Sequence, residues 1–163
     1  KTLNLALRSA LQHFENESVQ LLWQCGKSYE QELATFQSTL TPNIKVFAFI
    51  QRMDLAYALA TVIVSRAGAL SVSELALVAK PAILVPSPNV AEDHQTKNAR
   101  ALVDRGAAVL VTDAQAQDQL VPAALALLKD QAQQQALAEA IKAMALPNAA
   151  KDIVDVCLKV AKI

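Results

Sequence analysis

The segment Arg66–Glu74, which reads Arg-Ala-Gly-Ala-Leu-Ser-Val-Ser-Glu, has the residue types of an anion-binding turn. It directly follows the apolar run Ala60–Ser65, so the pattern predicts a buried strand, a tight turn of small residues and then a helix. The first backbone N–H groups of a helix have no intrahelical acceptor, and a phosphate group fits them. Because α/β folds bind ligands at the carboxyl ends of their strands, the segment indicates a nucleotide-type ligand.

Two residues of this segment allow two interpretations each. The spacing of Ser71 and Glu74 matches a capping box, in which the serine is the N-cap and the glutamate reaches back to it. The same carboxylate could instead accept hydrogen bonds from ribose hydroxyls, as acidic residues do in dinucleotide-binding folds. Gly68 either permits a positive φ in the turn or lets a phosphate approach the backbone closely. The residues alone leave both pairs of interpretations open.

A second polar segment, the 86–98 loop, follows the next predicted strand and should lie at the same edge of the sheet. Its side chains suit sugar hydroxyls, which need both donors and acceptors. The loop carries Asn89, Glu92, Asp93, His94, Gln95 and Asn98. The alternative is a solvated loop in which Asp93 or Thr96 caps the following helix.

The sequence identifies no catalytic residue, metal ligand set or cofactor motif. His94 could be a general base or a ligand, but no second His or Cys lies at ligand spacing from it. A serine nucleophile elbow, a P-loop signature and a G-x-G-x-x-G fingerprint are all missing from the sequence. We therefore expect binding chemistry rather than a recognisable catalytic constellation in this chain.

Short aliphatic strands alternate with helices along the chain. The strands show no apolar–polar alternation, which is typical of a parallel sheet covered by helices on both faces. The predicted strands are Val19–Cys25, Ile44–Phe49, Thr61–Ser65, Ala82–Val85 and Ala107–Val111. The predicted helices are 2–15, Ser28–Thr39, Asp54–Ala60, Ser71–Ala79, Gln95–Asp104, Ala116–Lys129, Gln131–Met144 and Ala149–Ala161.

Composition narrows the possible partners. Fifteen basic and fifteen acidic side chains cancel, so there is no electrostatic case for nucleic acid binding. Cys25 and Cys157 fit no metal spacing and lie among apolar residues, which predicts buried, reduced thiols in a cytosolic protein. No apolar run is long enough to span a bilayer, and the start of the chain has no signal-peptide pattern. Because Lys1 already lies inside a predicted helix, we expect a piece of a longer protein.

Four segments together resemble a known family. They are Phe49–Met53, Arg66–Glu74, Pro81–Pro86 and Glu92–Leu102. They are similar to the C-terminal domain of the bacterial peptidoglycan glycosyltransferases that transfer N-acetylglucosamine from UDP-N-acetylglucosamine to an undecaprenyl-pyrophosphoryl-N-acetylmuramyl-pentapeptide lipid. The resemblance covers essentially all 163 residues. It implies one half of an enzyme with two Rossmann-like domains, ending in several C-terminal helices.

The resemblance implies a role for each candidate residue. By analogy, the Ile50 backbone and Met53 meet the uracil, Gly68, Ala69, Leu70 and Ser71 face the diphosphate, Glu74 takes the ribose hydroxyls, and His94, Gln95 and Asn98 contact the N-acetylglucosamine. The family often has glutamine at the position of His94. With the resemblance, ribose binding becomes the favoured role of Glu74.

The resemblance also implies what lies outside this half. Residues 1–163 would form the donor domain, and an N-terminal acceptor domain, with the general base, the lipid acceptor and the membrane contact, would be absent from this chain. The whole enzyme would lie peripherally at the cytoplasmic face of the inner membrane and serve cell-wall synthesis, cell shape and cell division. No metal or other cofactor is implied.

Three other functions stay open from the sequence. Another UDP-sugar transferase, acting on diacylglycerol or sterol, would share the turn and Glu74 but differ over Glu92–Leu102. A non-catalytic regulatory domain with a Rossmann-like fold would bind no UDP. A domain similar to the UDP-N-acetylglucosamine epimerases would need cleft carboxylates and a histidine that the sequence does not place.

Overall fold

The computed structural model describes residues 1–15 and 18–161, so residues 16, 17, 162 and 163 of the predicted domain lie outside the described part. The helices are α1 Thr2–Ser9, α2 Leu11–Glu15, α3 Glu30–Ala34, α4 Met53–Leu59, α5 Ala69–Val78, α6 His94–Val103, α7 Ala116–Lys129, α8 Gln131–Lys142 and α9 Ala149–Ala161. The strands are β1 Leu21–Gln24, β2 Ile44–Phe47, β3 Ile63–Ser65, β4 Ala82–Leu84 and β5 Val109–Leu110. Short 3-10 turns occupy Lys27–Tyr29, Gln37–Thr39, Ala91–Asp93 and Asp113–Gln115.

All strand pairs in the described part of the chain are parallel, as the sequence predicts, but these strands form two sheets. β1 pairs with β2 from Leu21 opposite Ile44 onward. β4 lies between β3 and β5, with Ile83 opposite both Val64 and Val109. Among the described residues no backbone ladder joins β1 to β3.

Helices cover both faces of the three-stranded sheet, which confirms the α/β architecture. Successive side chains of a strand point to opposite faces. Ile83 packs in one core cluster with Ala6 of α1 and Leu120 of α7. Leu84 packs in the other cluster with residues of α5, α6 and α8, such as Leu75 and Ile141. β4 is therefore buried on both sides, which explains its unbroken apolar sequence.

The two-stranded sheet has an aromatic core. Trp23 of β1 lies against the rings of Tyr29 and Phe36, with centroids 6.1 and 6.3 Å away. Asn4 ties this sheet to α1, because its Oδ1 accepts from Trp23 Nε1 at 3.0 Å and its Nδ2 donates to the Cys25 carbonyl at 2.8 Å. The first helix thus connects the two sheets.

Two long predicted helices are interrupted. The predicted helix 2–15 breaks at Ala10, and Ser28–Thr39 is α3 flanked by two 3-10 turns. Hydroxyls compete with the helical ladder at both places: Ser9 donates to the Ala6 carbonyl, and Thr39 donates to the Phe36 carbonyl at 2.7 Å. The second predicted strand also ends early, at Phe47 rather than Phe49.

The last helix, α9, has no buried residue, as is also true of α4. The prediction that Cys157 is buried is therefore wrong, although Cys25 is buried as expected. Within the described residues, no helix is both long and apolar enough to cross a membrane.

Candidate functional site

The Arg66–Glu74 segment is a turn followed by a helix with an open N-terminus. The helix α5 begins at Ala69, two residues before the predicted start. Its first backbone bond runs from the Val72 N–H to the Gly68 carbonyl at 2.9 Å. The N–H groups of Ala69, Leu70 and Ser71 therefore precede the ladder, and no side chain caps them. This end of the helix offers several donors and the positive end of its dipole to an anion.

Gly68 is not needed for the conformation of the turn. Its φ is −64°, so the interpretation that it adopts a positive φ is wrong. A Cβ at this position would meet Ser71 Oγ at 3.6 Å, an ordinary contact. The glycine instead leaves bare backbone beside the open N–H groups of α5. A close approach of a ligand is the interpretation that the geometry supports.

The capping-box interpretation of Ser71 and Glu74 is wrong. The N-cap is Gly68, so Ser71 is already the third helical residue and Glu74 lies in the second turn. The exposed Glu74 carboxylate accepts a hydrogen bond from Tyr57 Oη at 2.9 Å. It therefore remains available to a ligand near the start of the helix.

The 86–98 loop is tied to the Arg66–Glu74 segment by an amide side chain. Asn98 Nδ2 donates to the carbonyl of Ala67 at 3.0 Å, across 31 positions of sequence. Gln95 Oε1 accepts from the Ser87 N–H at 2.9 Å, which folds the loop back on α6. Two of the three predicted sugar-contacting residues thus have structural bonds that set the shape of the loop.

His94 and Asp93 lie at the start of α6 but do not cap it. Asp93 occupies the N-cap position, as one interpretation predicted, yet its side chain makes no cap hydrogen bond. Asp93 and Glu92 both have positive φ, 54° and 51°, which is costly outside glycine. His94 Nε2 lies 3.5 Å from the Glu92 carboxylate at an exposed position. The strained backbone presents these polar groups to solvent.

The predicted uracil side lies after β2. Phe47, Phe49, Ile50, Gln51 and Arg52 line an open hollow of about 400 Å³. The Ile50 N–H donates to Gln24 Oε1 at 2.8 Å, so a base that needs this N–H must replace the glutamine. Met53, the other predicted residue, begins α4.

An ion-pair network below the turn, centred on Arg66 and Asp113, was not predicted from the sequence. Arg66 Nη1 donates to Asp113 Oδ1 at 2.5 Å and to the carbonyls of Val85 and Pro86 at 3.1 and 3.2 Å. Thr2 donates to the other oxygen of Asp113 at 2.9 Å. The network joins the ends of β3, β4 and β5 to the start of α1. Only the position of Arg66 after a strand hinted at it.

Within residues 1–15 and 18–161, no three His, Cys, Asp or Glu side chains come together as a metal site. The pKa of Tyr57 is raised to about 12 by burial first and then by the hydrogen bond and charge of Glu74. Tyr57 is therefore a neutral donor throughout the physiological range. The site offers N–H and hydroxyl donors, amides and the Glu74 carboxylate, which is the chemistry of diphosphate and sugar recognition.

Comparison with known families shows to which family the chain belongs. The model of the glycosyltransferase family 28 C-terminal domain matches residues 1–153. The chain belongs to this family. The family assignment covers the turn, the 86–98 loop and every candidate residue described above.

Related proteins are similar over nearly the whole chain. A relative in Flavobacterium psychrophilum is 44% identical over 162 residues, and one in Cytophaga hutchinsonii is 51% identical over 155. Both are named as UDP-N-acetylglucosamine–N-acetylmuramyl-(pentapeptide) pyrophosphoryl-undecaprenol N-acetylglucosamine transferase. The crystal structure of Acinetobacter baumannii MurG matches 94% of this chain and 46% of its own, with 31% identity and a TM-score of 0.77. The chain spans 44% and 41% of the two relatives.

Proposed function

We propose that residues 1–163 are the donor-binding domain of an inverting glycosyltransferase and that the ligand is UDP-N-acetylglucosamine. The observation that carries the proposal is the meeting of two polar segments at one sheet edge. The open N-terminus of α5 and the 86–98 loop are joined there by the bond from Asn98 to Ala67. The names of the relatives, which specify this donor, support the choice of sugar.

Each part of the donor has a candidate partner. The N–H groups of Ala69, Leu70 and Ser71, beside the bare backbone of Gly68, receive the diphosphate. Glu74 accepts the ribose hydroxyls. The hollow at Ile50, with Met53 at the start of α4, receives the uracil. His94, Gln95 and Asn98 contact the N-acetylglucosamine.

The reaction is a single displacement at the anomeric carbon. The acceptor hydroxyl forms the new bond to this carbon as the bond to the β-phosphate oxygen breaks, and UDP leaves with both electrons of that bond. The N-terminus of α5 stabilises the charge that develops on the departing diphosphate. The acceptor proton goes to a base that we place outside this chain, and no residue here is assigned that role.

The rest of the activity belongs to the part of the relatives that this chain does not span. We place there the domain that binds the lipid-linked N-acetylmuramyl-pentapeptide acceptor and contacts the membrane. The whole enzyme would work as a peripheral protein at the cytoplasmic face of the bacterial inner membrane. Its product would feed peptidoglycan synthesis, and through it cell shape and division.

Calorimetric titration with UDP-N-acetylglucosamine, UDP-glucose and UDP-N-acetylgalactosamine tests the proposal. We expect selective binding of the first with a dissociation constant in the submillimolar range, roughly 0.1–1 mM, because an open half-cleft buries little of the ligand. Absence of binding by all uridine nucleotides would contradict the proposal. Sugar transfer to a lipid acceptor by this chain alone would contradict the division of labour.

Gly68→Ala sharpens the test. The φ of −64° suits alanine and the new Cβ finds room, so the free energy of unfolding should not fall. The same methyl group would stand where the diphosphate approaches, and binding should weaken at least tenfold. Unchanged binding with unchanged stability would exclude the turn as the phosphate site.

A further inference from the structure

The strongest unassigned feature is the hydrogen bond between Tyr57 and Glu74. Tyr57 lies on α4 and Glu74 on α5, and their bond of 2.9 Å spans 17 positions. The ring of Tyr57 packs partly buried against the core cluster that contains Leu75 and Ala76. The phenol is thus fixed by the core, and its hydroxyl reaches the exposed carboxylate.

This bond restricts a carboxylate that would otherwise be mobile. An exposed glutamate has several rotatable bonds, and ordering it for a ligand costs conformational entropy. The capping box, which would have ordered it differently, is not formed. In the described part of the chain, the phenol of Tyr57 is the hydrogen-bond partner that holds the Glu74 carboxylate.

The bond also leaves Glu74 with the capacity that a ribose needs. A carboxylate has about four lone-pair sites, and the phenol occupies one of them. The others remain for two adjacent hydroxyls, which donate. Since the pKa of Tyr57 is raised to about 12, the phenol keeps its proton and can donate it to the Glu74 carboxylate.

We propose that Tyr57 is the positioning residue that aims Glu74 at the ribose diol and so sets discrimination for ribose over 2′-deoxyribose. The inference rests on the proposed function, because it assumes that Glu74 meets the ribose. It adds a residue on another helix, α4, that acts through its bond to Glu74.

The test compares two ligands on one variant. The full chain and Tyr57→Phe are titrated with UDP and with 2′-deoxyuridine diphosphate. We expect affinity for UDP to fall about three- to tenfold, the effect of one hydrogen bond, while affinity for the deoxy analogue changes less than about twofold. The ratio of the affinities for UDP and for 2′-deoxyuridine diphosphate should therefore be lower in Tyr57→Phe than in the wild type. A purely structural role of Tyr57 would weaken both ligands equally, and that result would overturn the inference.

Tyr29→Phe is the matched control. Its hydroxyl also donates to a glutamate, Glu32 Oε1, at 3.1 Å, but in the aromatic core of the two-stranded sheet. This variant should keep the full preference for ribose. Loss of that preference in Tyr29→Phe as well would overturn the inference.

Two further variants complete a double-mutant cycle: Glu74→Gln alone, and Glu74→Gln combined with Tyr57→Phe. If Tyr57 acts through Glu74, the double variant should bind UDP no more weakly than Glu74→Gln alone. Additive losses would overturn the inference.

The failure of the inference can be told apart from the failure of the proposed function. If the wild-type chain binds UDP-N-acetylglucosamine and Tyr57→Phe keeps the preference for ribose, the inference alone is refuted. A wild-type chain that binds no uridine nucleotide would refute the proposed function and the inference together.

Discussion

The two sheets of this chain differ in how deeply their side chains are buried and in the hydrogen bonds that their edges carry. The central strand of the three-stranded sheet is fully buried, with Ala82, Ile83 and Leu84 at 0% exposure. The carboxyl edge of this sheet carries long-range bonds, from Arg66 to Asp113 and from Asn98 to Ala67. The two-stranded sheet has two outer strands and an aromatic cluster on one side.

Under the proposed function, the two sheets have distinct tasks. Groups that meet a diphosphate and a ribose need fixed positions, and strands buried on both faces supply them. The hollow proposed for the uracil follows β2, whose Phe47 is half exposed, and the Ile50 N–H in it already bonds to the side chain of Gln24. We infer that the three-stranded sheet fixes the geometry and that the two-stranded sheet adapts to the base.

The largest expected effect is on the free energy of unfolding, which should fall much more for a substitution in the three-stranded sheet than for one in the two-stranded sheet. Leu84→Ala removes a fully buried side chain from β4, and we expect the free energy of unfolding to fall by about 3–4 kcal/mol. Leu22→Ala makes the same change in β1, where the side chain is 44% exposed, and should cost less than about 1 kcal/mol. Denaturant unfolding measures both. Equal losses would show that the two sheets do not differ in burial as described.

The second effect concerns the network below the turn. Asp113→Asn leaves the guanidinium of Arg66 without its ionic partner at side chains only 20% and 27% exposed. We expect a loss of about 1–2 kcal/mol in unfolding free energy, since the pair is partly screened, and severalfold weaker binding of UDP. The matched control is Asp54→Asn, because Asp54 pairs with Arg52 at 2.6 Å on the open surface. That control should leave stability unchanged, and an equal effect in both would contradict the role of the network.

The sequence predicted what depends on nearby residues. The strand before Arg66, the helix after Gly68 and the polar loop to Asn98 all follow from local apolar runs and small residues. The side chains that bond to each other around the site could not be predicted in this way, because they are distant in sequence. Thr2 lies 111 positions from Asp113, and the packing of α1 against α7 brings them together.

Local competition explains the remaining errors. Glu74 three residues after Ser71 is a good capping pattern, but the helix begins earlier, at Ala69, so the pattern falls inside it. Ser28–Thr39 has helical spacing, yet threonine hydroxyls there bond back to carbonyls, as Thr35 does to Glu32 at 2.7 Å. A pattern shows that such bonds are possible and not which one forms.

A smaller effect tests the two-stranded sheet and the hollow that follows β2. Gln24→Ala removes the group that occupies the Ile50 N–H, so uridine should bind roughly two- to fivefold more tightly. The loop should keep its place, because the Cys25 and Gly26 N–H groups bond to the carbonyls of Phe47 and Ala48 at 2.8 and 3.1 Å. Gln131→Ala, at the exposed start of α8, is the control and should have no effect. Weaker uridine binding in Gln24→Ala would mean that the glutamine itself holds the base.

The smallest effect is spectroscopic and concerns the hydroxyl that holds Glu74. The folded pKa of Tyr57 is about 12, above its ordinary value of 10.0, because burial and the Glu74 carboxylate disfavour the phenolate. A raised folded pKa means that its contribution to stability is complete below pH 10 and is lost as the pH rises from 10 towards 12. The difference in phenolate absorbance between the wild type and Tyr57→Phe isolates this titration from that of Tyr29, whose pKa burial also raises. A midpoint near 10 in that difference would mean that the bond is not maintained in solution, and the fixed geometry assigned to the three-stranded sheet would then not extend to Glu74.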